Sequence, residues 1–291
     1  MKNLIVFIFI NLLIFSFYNN TLPQCSDAGV CVIGQKSADR TKKSNSSISI
    51  GYLFGYSGKE DDITFNTIKL NGDILVFEKS RLNINIPYTF ISGPLGSVNG
   101  IGDPIVIWTQ FLPLERKSAL SFYIGFKFRT GSVNLGDSLP QAYQPGLGTN
   151  DLLLGAGYKR ENFFVAAAYQ KPFGRSENKI TRLKRGDDVF VRMGYNQPFK
   201  KLSVKGEILV IKRIQESTIQ NPFGISESFV DVDNSNPLQI NLLAELTYSI
   251  SKNIDIHTSA ALPLLKRDNN IDGLKRTISV GAGLSYLFRI R

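Results

Sequence analysis

The last sixteen residues, R-T-I-S-V-G-A-G-L-S-Y-L-F-R-I-R from Arg276 to Arg291, alternate apolar and polar side chains almost without a break. Ile278, Val280, Ala282, Leu284, Tyr286, Phe288 and Ile290 share one face. Thr277, Ser279, Gly281, Gly283, Ser285 and Arg289 share the other, with Leu287 the one apolar exception. A period of two over that length describes a strand with an oily side and a wet side. A strand of about 9–11 residues crosses a bilayer when tilted. The stretch therefore predicts an all-β fold, a closed antiparallel transmembrane β-barrel.

Composition agrees with strands. The chain of 291 residues has 20 Phe, 11 Tyr and 25 Gly against two Met and one His. Its hydrophobic content of 43% is too low for a helical membrane bundle. After residue 17 no apolar run approaches the roughly 20 residues of a spanning helix. The near-zero mean hydropathy fits a barrel, because bore-facing residues dilute the lipid face in any sequence window.

Working outward, about twelve strands are predicted, an even number as in bacterial barrels. They fall at 47–56, within 62–79, and at 81–91, 103–112, 118–130, 150–160, 163–171, 187–197, 201–213, 238–250, 253–263 and 276–290. Within 62–79, Ile63, Phe65, Leu75 and Phe77 fit one bulged strand or two short ones. From the fourth strand onward the gaps alternate strictly. Those at 114–117, 161–162, 198–200 and 251–252 are short; those at 131–150, 172–186, 214–237 and 264–275 are long and polar. Short periplasmic turns and long extracellular loops produce that rhythm, and an even count puts both termini in the periplasm. Tyr52, Tyr56, Tyr88, Tyr158, Tyr169, Tyr195 and Tyr286 take outward registers mostly near strand ends, as girdle aromatics do.

The N-terminus predicts export. Met1-Lys2-Asn3 precedes an apolar core from Leu4 to Phe17, the pattern of a secretory signal covering 1–24. Residues 25–46 are expected to be a short periplasmic segment, and 47–291 the barrel in the outer membrane of a Gram-negative bacterium. Cys25 and Cys31, the only cysteines, favour a small disulfide-closed loop in an exported chain. A lipid-modified Cys25 is the alternative. Two thiols and a distant His make a poor metal site, so no metal is expected.

The formal charge is +10, with basic groups at strand ends such as Glu115-Arg116-Lys117, Thr181 to Arg185 and Leu265-Lys266-Arg267. These sites are expected to meet outer-membrane lipid and the phosphates of lipopolysaccharide. No basic patch interleaved with stacking aromatics supports a nucleic-acid partner. The alternation turns Tyr123, Lys127, Arg129, Lys159, Arg192, Lys205, Glu207, Arg213, Glu245, Asp255, His257 and Arg289 inward. Arg or Lys on the lipid side would cost about 2–4 kcal/mol at mid-membrane. Two readings of that wall compete. One is an aqueous passage filtered by a mixed but cationic lining. The other is a closed scaffold whose paired charges, Arg192 facing Lys205 and Glu207 for example, fill the interior, leaving loops 131–149 and 214–237 for surface interactions. Inward Gly125, Gly155, Gly157, Gly194, Gly281 and Gly283 leave room for a passage.

His257-Thr258-Ser259 matches the H-x-S spacing of an outer-membrane phospholipase. Here Ala260-Ala261 follows the Ser in place of Asn-Gly, and His257 is on the inward register, away from lipid. No enzyme is expected. Gly100-Ile101-Gly102-Asp103 leads into no helix and is read as turn chemistry rather than a nucleotide loop.

Three motifs share a further likeness. Gly102-Asp103 opens a strand, Thr130-Gly131 closes a later one, and Leu147-Gly148-Thr149-Asn150-Asp151 leads into the next. That order resembles the outer-membrane family named for the meta-pathway of phenol degradation, by motif over roughly 100–170 and by architecture elsewhere. Family members usually carry Pro before the Thr-Gly, where this chain has Arg129. The resemblance implies a channel-like barrel, linked in some members to uptake of hydrophobic or aromatic compounds, and brings no agreed ligand residues. The expected role is a passive pore for a small-molecule solute. It would need no cofactor, and its insertion would depend on the barrel-assembly machinery.

Overall fold

The computed structural model describes residues 46–137, 139–224 and 228–289. The predicted signal segment and the Cys25–Cys31 pair lie outside these residues.

Twelve strands form the barrel wall: β1 (Ser46–Tyr56), β2 (Thr64–Phe77), β3 (Ser80–Gly93), β5 (Ile105–Pro113), β6 (Ser118–Lys127), β7 (Asn150–Arg160), β8 (Phe163–Phe173), β9 (Asp188–Pro198), β10 (Leu202–Arg213), β13 (Leu238–Ser249), β14 (Ile254–Leu265) and β15 (Ile278–Phe288). Each pairs antiparallel with its neighbours in chain order, β1 joins β15, and the β2–β3 pairing completes the ring. The fold is a closed twelve-stranded antiparallel barrel, with β4 (Gly96–Ile101) as an extra strand on β3. In the loop after β10, β11 (Thr218–Gln220) and β12 (Phe229–Asp231) form a small separate hairpin.

The sequence alternation is seen as a difference in exposure. Ile50, Ile124, Leu154, Met193, Leu246 and Leu284 face outward and exposed, although they are large and apolar. Soluble proteins rarely display so continuous a patch, whereas a belt of this kind suits acyl chains. Tyrosines mark its rims. Near the long-loop end Tyr88 donates to Asn99 Oδ1 at 2.7 Å and Tyr52 to Asn66, while Tyr195, Tyr248 and Tyr286 stand near the short-turn end. Replacing Ile124 with Arg should destabilise the bilayer-inserted barrel by about 2–4 kcal/mol. The same change at loop residue Ile180 should leave it within about 0.5 kcal/mol. Urea titration of barrel folded in vesicles measures both, and equal effects would contradict the lipid-facing belt.

β4 differs from expectation, since 92–102 reads as loop. β3 pairs with β5 through its first half and with β4 through its second, so β4 and β5 form one long strand interrupted at Gly102-Asp103-Pro104. The pairing shifts by one residue there and both Gly102 and Asp103 are buried. A bulge of this kind re-aims side chains. The region 62–79 resolves into the single strand β2, with its irregularity at Leu75–Phe77. β6 stops at Lys127, leaving Arg129 in the following loop; Arg289 likewise follows the end of β15. Arg276 precedes β15 and is buried.

Candidate functional site: a plugged bore with one open wall

The bore has two unlike halves. On β5 to β10 the inward positions include an apolar layer: Ile105, Ile107, Leu153, Phe190 and Leu209 are each no more than 2% exposed. They pack together with Ile211, and Leu243 of β13, the residue off the apolar–polar pattern, packs against them. Two loop residues, Leu147 and Leu274, join the same cluster. This half is a core, filled as the interior of a soluble protein is filled.

Leu147 reaches the bore through a clasp formed by the three sequence motifs. Asp103, turned inward by the bulge, accepts the Gly131 N–H at 3.0 Å on one carboxylate oxygen and the Leu147 N–H at 2.7 Å on the other. Thr149 donates to Asp151 at 2.7 Å. Gly131 and Gly146 lie backbone to backbone, so that a Cβ on Gly146 would stand 2.6 Å from the Gly131 oxygen. Glycine is needed there because the chains cross at contact distance. The motif residues Gly102, Asp103, Thr130, Gly131, Gly148, Thr149 and Asp151 thus belong to the segment that folds loop 128–149 inward. The loop 266–277 enters from the other side and meets it. Gly273, at φ +67°, sits against Ala142, whose carbonyl would be 2.7 Å from an added Cβ.

Above the apolar cluster, ion pairs tie both loops to the wall. Lys127 lies 2.9 Å from Asp151, Arg185 3.1 Å from Asp151 and 2.9 Å from Asp188, and Arg213 3.0 Å from Asp188. Asp272, on the second loop, is 2.9 Å from Arg213, 3.2 Å from Arg267 and 3.9 Å from Arg185. Asp103 is 3.7 Å from Lys127. Four cations (Lys127, Arg185, Arg213, Arg267) meet four carboxylates (Asp103, Asp151, Asp188, Asp272), all buried, and their formal charges cancel. Burial by itself would raise the Asp272 carboxyl, but the guanidiniums of Arg213, Arg267 and Arg185 outweigh it and hold the group well below the usual carboxylate range.

Several inward residues read from sequence meet in such pairs. Arg192 is 3.3 Å from Glu207, and Lys205 bridges Glu207 and Glu245 at 2.8 Å each. Tyr123, Lys159 and Asp255 point inward and are buried, with Tyr123 bonded to Ser121 at 2.6 Å. Arg129 lies outside the bore and pairs with Glu177 at 2.9 Å, and Arg289 is exposed beyond its strand. Of the mixed but cationic wall expected, Lys127 and Arg213 face inward but are neutralised within the plug, and the expectation for Arg129 is corrected, since it is on the surface. Arg185 and Arg267, read as basic surface sites, are buried in the ion cluster. Sequence reasoning missed them, and Asp272 with them, because loops carry no periodicity to show direction; Asp188 was also missed, although it opens β9 on the inward register of Phe190 and Arg192.

The opposite wall is unfilled. Along β1, β2, β14 and β15, inward Gly51, Asn71, His257, Ser259, Gly283 and Ser285 keep partial exposure. The His257 ring lies over Gly283, where a Cβ would come 2.2 Å from Nε2, and its Nδ1 is 3.5 Å from Ser285 Oγ. Toward the long-loop end the groove is capped by Arg276, whose guanidinium carbon stands 3.1 Å from the Phe65 ring centre. A small cavity of about 40 Å³ remains between the cap and the clasp, lined by Phe65, Thr89, Asp103, Leu274 and Arg276 among others.

A transmembrane-type barrel with an inwardly folded plug is the class these features define. Among solved structures, an outer membrane channel from Pseudomonas putida F1 superposes with a TM-score of 0.67 at 14% identity, covering 88% of this chain and 100% of that one. The translocator domain of autotransporter NalP from Neisseria meningitidis (TM-score 0.49, 8% identity, 87% and 91% coverage) and the KdgM porin (0.45, 9%, 84% and 99%) are more distant. No protein-family model and no curated sequence matches the chain.

Proposed function

We propose that this chain is an outer-membrane pore of a Gram-negative bacterium that passes small solutes along the unfilled wall of its bore. The observation carrying this reading is the partly exposed polar groove on β1, β2, β14 and β15, beside a half-bore that is packed solid. A scaffold with no transport role has no use for one unfilled wall. The apolar outer belt and the likeness in fold to the P. putida channel support the membrane setting. His257 and Ser259 face the bore instead of lipid, which argues against a lipid-cleaving pair. Long loops then face outward, where exposed Lys171 at the end of β8 meets lipopolysaccharide phosphates, and the barrel-assembly machinery inserts the chain.

In planar bilayers the purified protein should give small, discrete conductance steps with weak ion selectivity, because its buried cations are paired. Complete silence of both the wild type and a variant with a released plug would refute the pore. It would favour the second reading, a closed scaffold, to which the packed half-bore and the ion cluster lend weight.

A further inference from the structure

We propose that the open groove selects small, uncharged, polyhydroxylated solutes, a deepening that rests on the pore reading above. The residues along it offer hydroxyls, amides and an imidazole: Asn71 on β2, His257 and Ser259 on β14, and Ser285 on β15. Gly51 and Gly283 form its floor. Such groups exchange hydrogen bonds with hydroxyls at little net cost, whereas an apolar solute would leave them unpaired. Fixed charge gives an ionic solute little net advantage, since Arg192, Lys205, Glu207 and Glu245 neutralise one another on the neighbouring wall, and the groove's own inward charges, Lys69 of β2 opposite Gly51 and buried Asp255 of β14, are one of each sign. The large apolar side chains that would suit an aromatic solute are packed away in the other half of the bore.

A second observation marks the capped, long-loop end of the groove. Ser279 continues the inward row of β15 beyond Gly281 and is only 3% exposed. Its Oγ has no hydrogen-bond partner among the described residues. It lies beside Gly55 and the Arg276 side chain, so that an added Cβ on Gly55 would be 3.5 Å from Ser279 Oγ and 2.8 Å from Arg276 Cδ. A buried hydroxyl with unmet bonding capacity is costly unless something polar visits it. A solute hydroxyl arriving beneath the cap supplies the missing partner.

Gly51 allows the groove to be filled without harming the barrel. A Cβ there would meet nothing nearer than 3.5 Å, and Gly51 is not among the residues of positive φ. The full-length protein in proteoliposomes should swell faster in isosmotic arabinose than in sodium gluconate, by about tenfold. Gly51→Leu should cut the arabinose rate by about fivefold or more while keeping the folded, heat-modifiable form. Equal rates for the two solutes, or an arabinose rate untouched by Gly51→Leu, would overturn the proposed selectivity and leave the pore standing. Absence of swelling in every solute, together with silent bilayers, would overturn both.

Discussion

Replacing Asp272 with Ala should turn a barely conducting barrel into an open one, raising single-channel conductance by about tenfold. Asp272 is the anion at which Arg213, Arg267 and Arg185 converge, and its Oδ1 also accepts the Leu274 N–H at 3.1 Å. Removing one partner from a buried ion cluster leaves unmatched charge and costs about 3–5 kcal/mol. The cheapest relief is for loop 266–277 to leave the bore and hydrate its arginine. The wall need not unfold, because its strand pairing is independent of the loop. Leu274 and Arg276 would leave with it, emptying the cap over the groove. Protease nicking within 266–277 should accelerate in parallel. An unchanged conductance with a released loop would show that the constriction lies elsewhere. Acid should be a weak trigger for the same event. The Asp272 value is depressed in the folded state, so its stabilisation is fully present above an ordinary carboxylate value of about 4 and is lost only as pH falls through the lower folded value.

Phe190→Ala should destabilise the barrel by about 3–5 kcal/mol, the cost of emptying a packed core. Phe190 points inward from β9, is 1% exposed, and belongs to the cluster of Leu153, Leu209 and Ile211. In a water-filled pore the same truncation would expose an already wet position and cost little. Ser285→Ala, on the inward face of β15, is the matching control and should stay within about 0.5 kcal/mol. Urea unfolding from detergent or vesicles distinguishes the two halves, and similar values at both sites would refute the division of the bore.

The barrel was legible in sequence because lipid enforces alternation. Ile124 beside Gly125, or Leu284 beside Ser285, shows which side meets lipid. What lay beyond that signal was harder to read. β4 is short and mostly polar, with Asn99 at the girdle rim, so its pairing left no mark in the pattern. The filled half was hidden because strands such as Phe163–Phe173 are apolar on both faces, and an apolar residue facing inward looks like an error until its partners are seen. Leu243 and Leu287 are two such residues; the first packs on the core and the second is buried at the short-turn end. The clasp motifs were visible as glycines and carboxylates, but their convergence required knowing that Asp103 sits on a bulge. The charged loops gave no directional cue at all. Arg185 and Arg267 read as surface residues, and their buried partners Asp151, Asp188, Asp272 and Gln239 explain why they turn inward.

The cancelling of charge within the plug has an electrical consequence. An outer membrane holds a Donnan potential, and a field moves a gate only in proportion to the charge that gate carries, about 2.3 kcal/mol per elementary charge per 100 mV. The eight paired groups sum to zero only in place: loop 266–277 itself carries Lys266, Arg267, Lys275 and Arg276 against Asp268 and Asp272, a net +2, so its departure moves charge through such a field. A potential across the membrane should therefore bias the release of that loop, in one polarity only, once Asp272 no longer holds it.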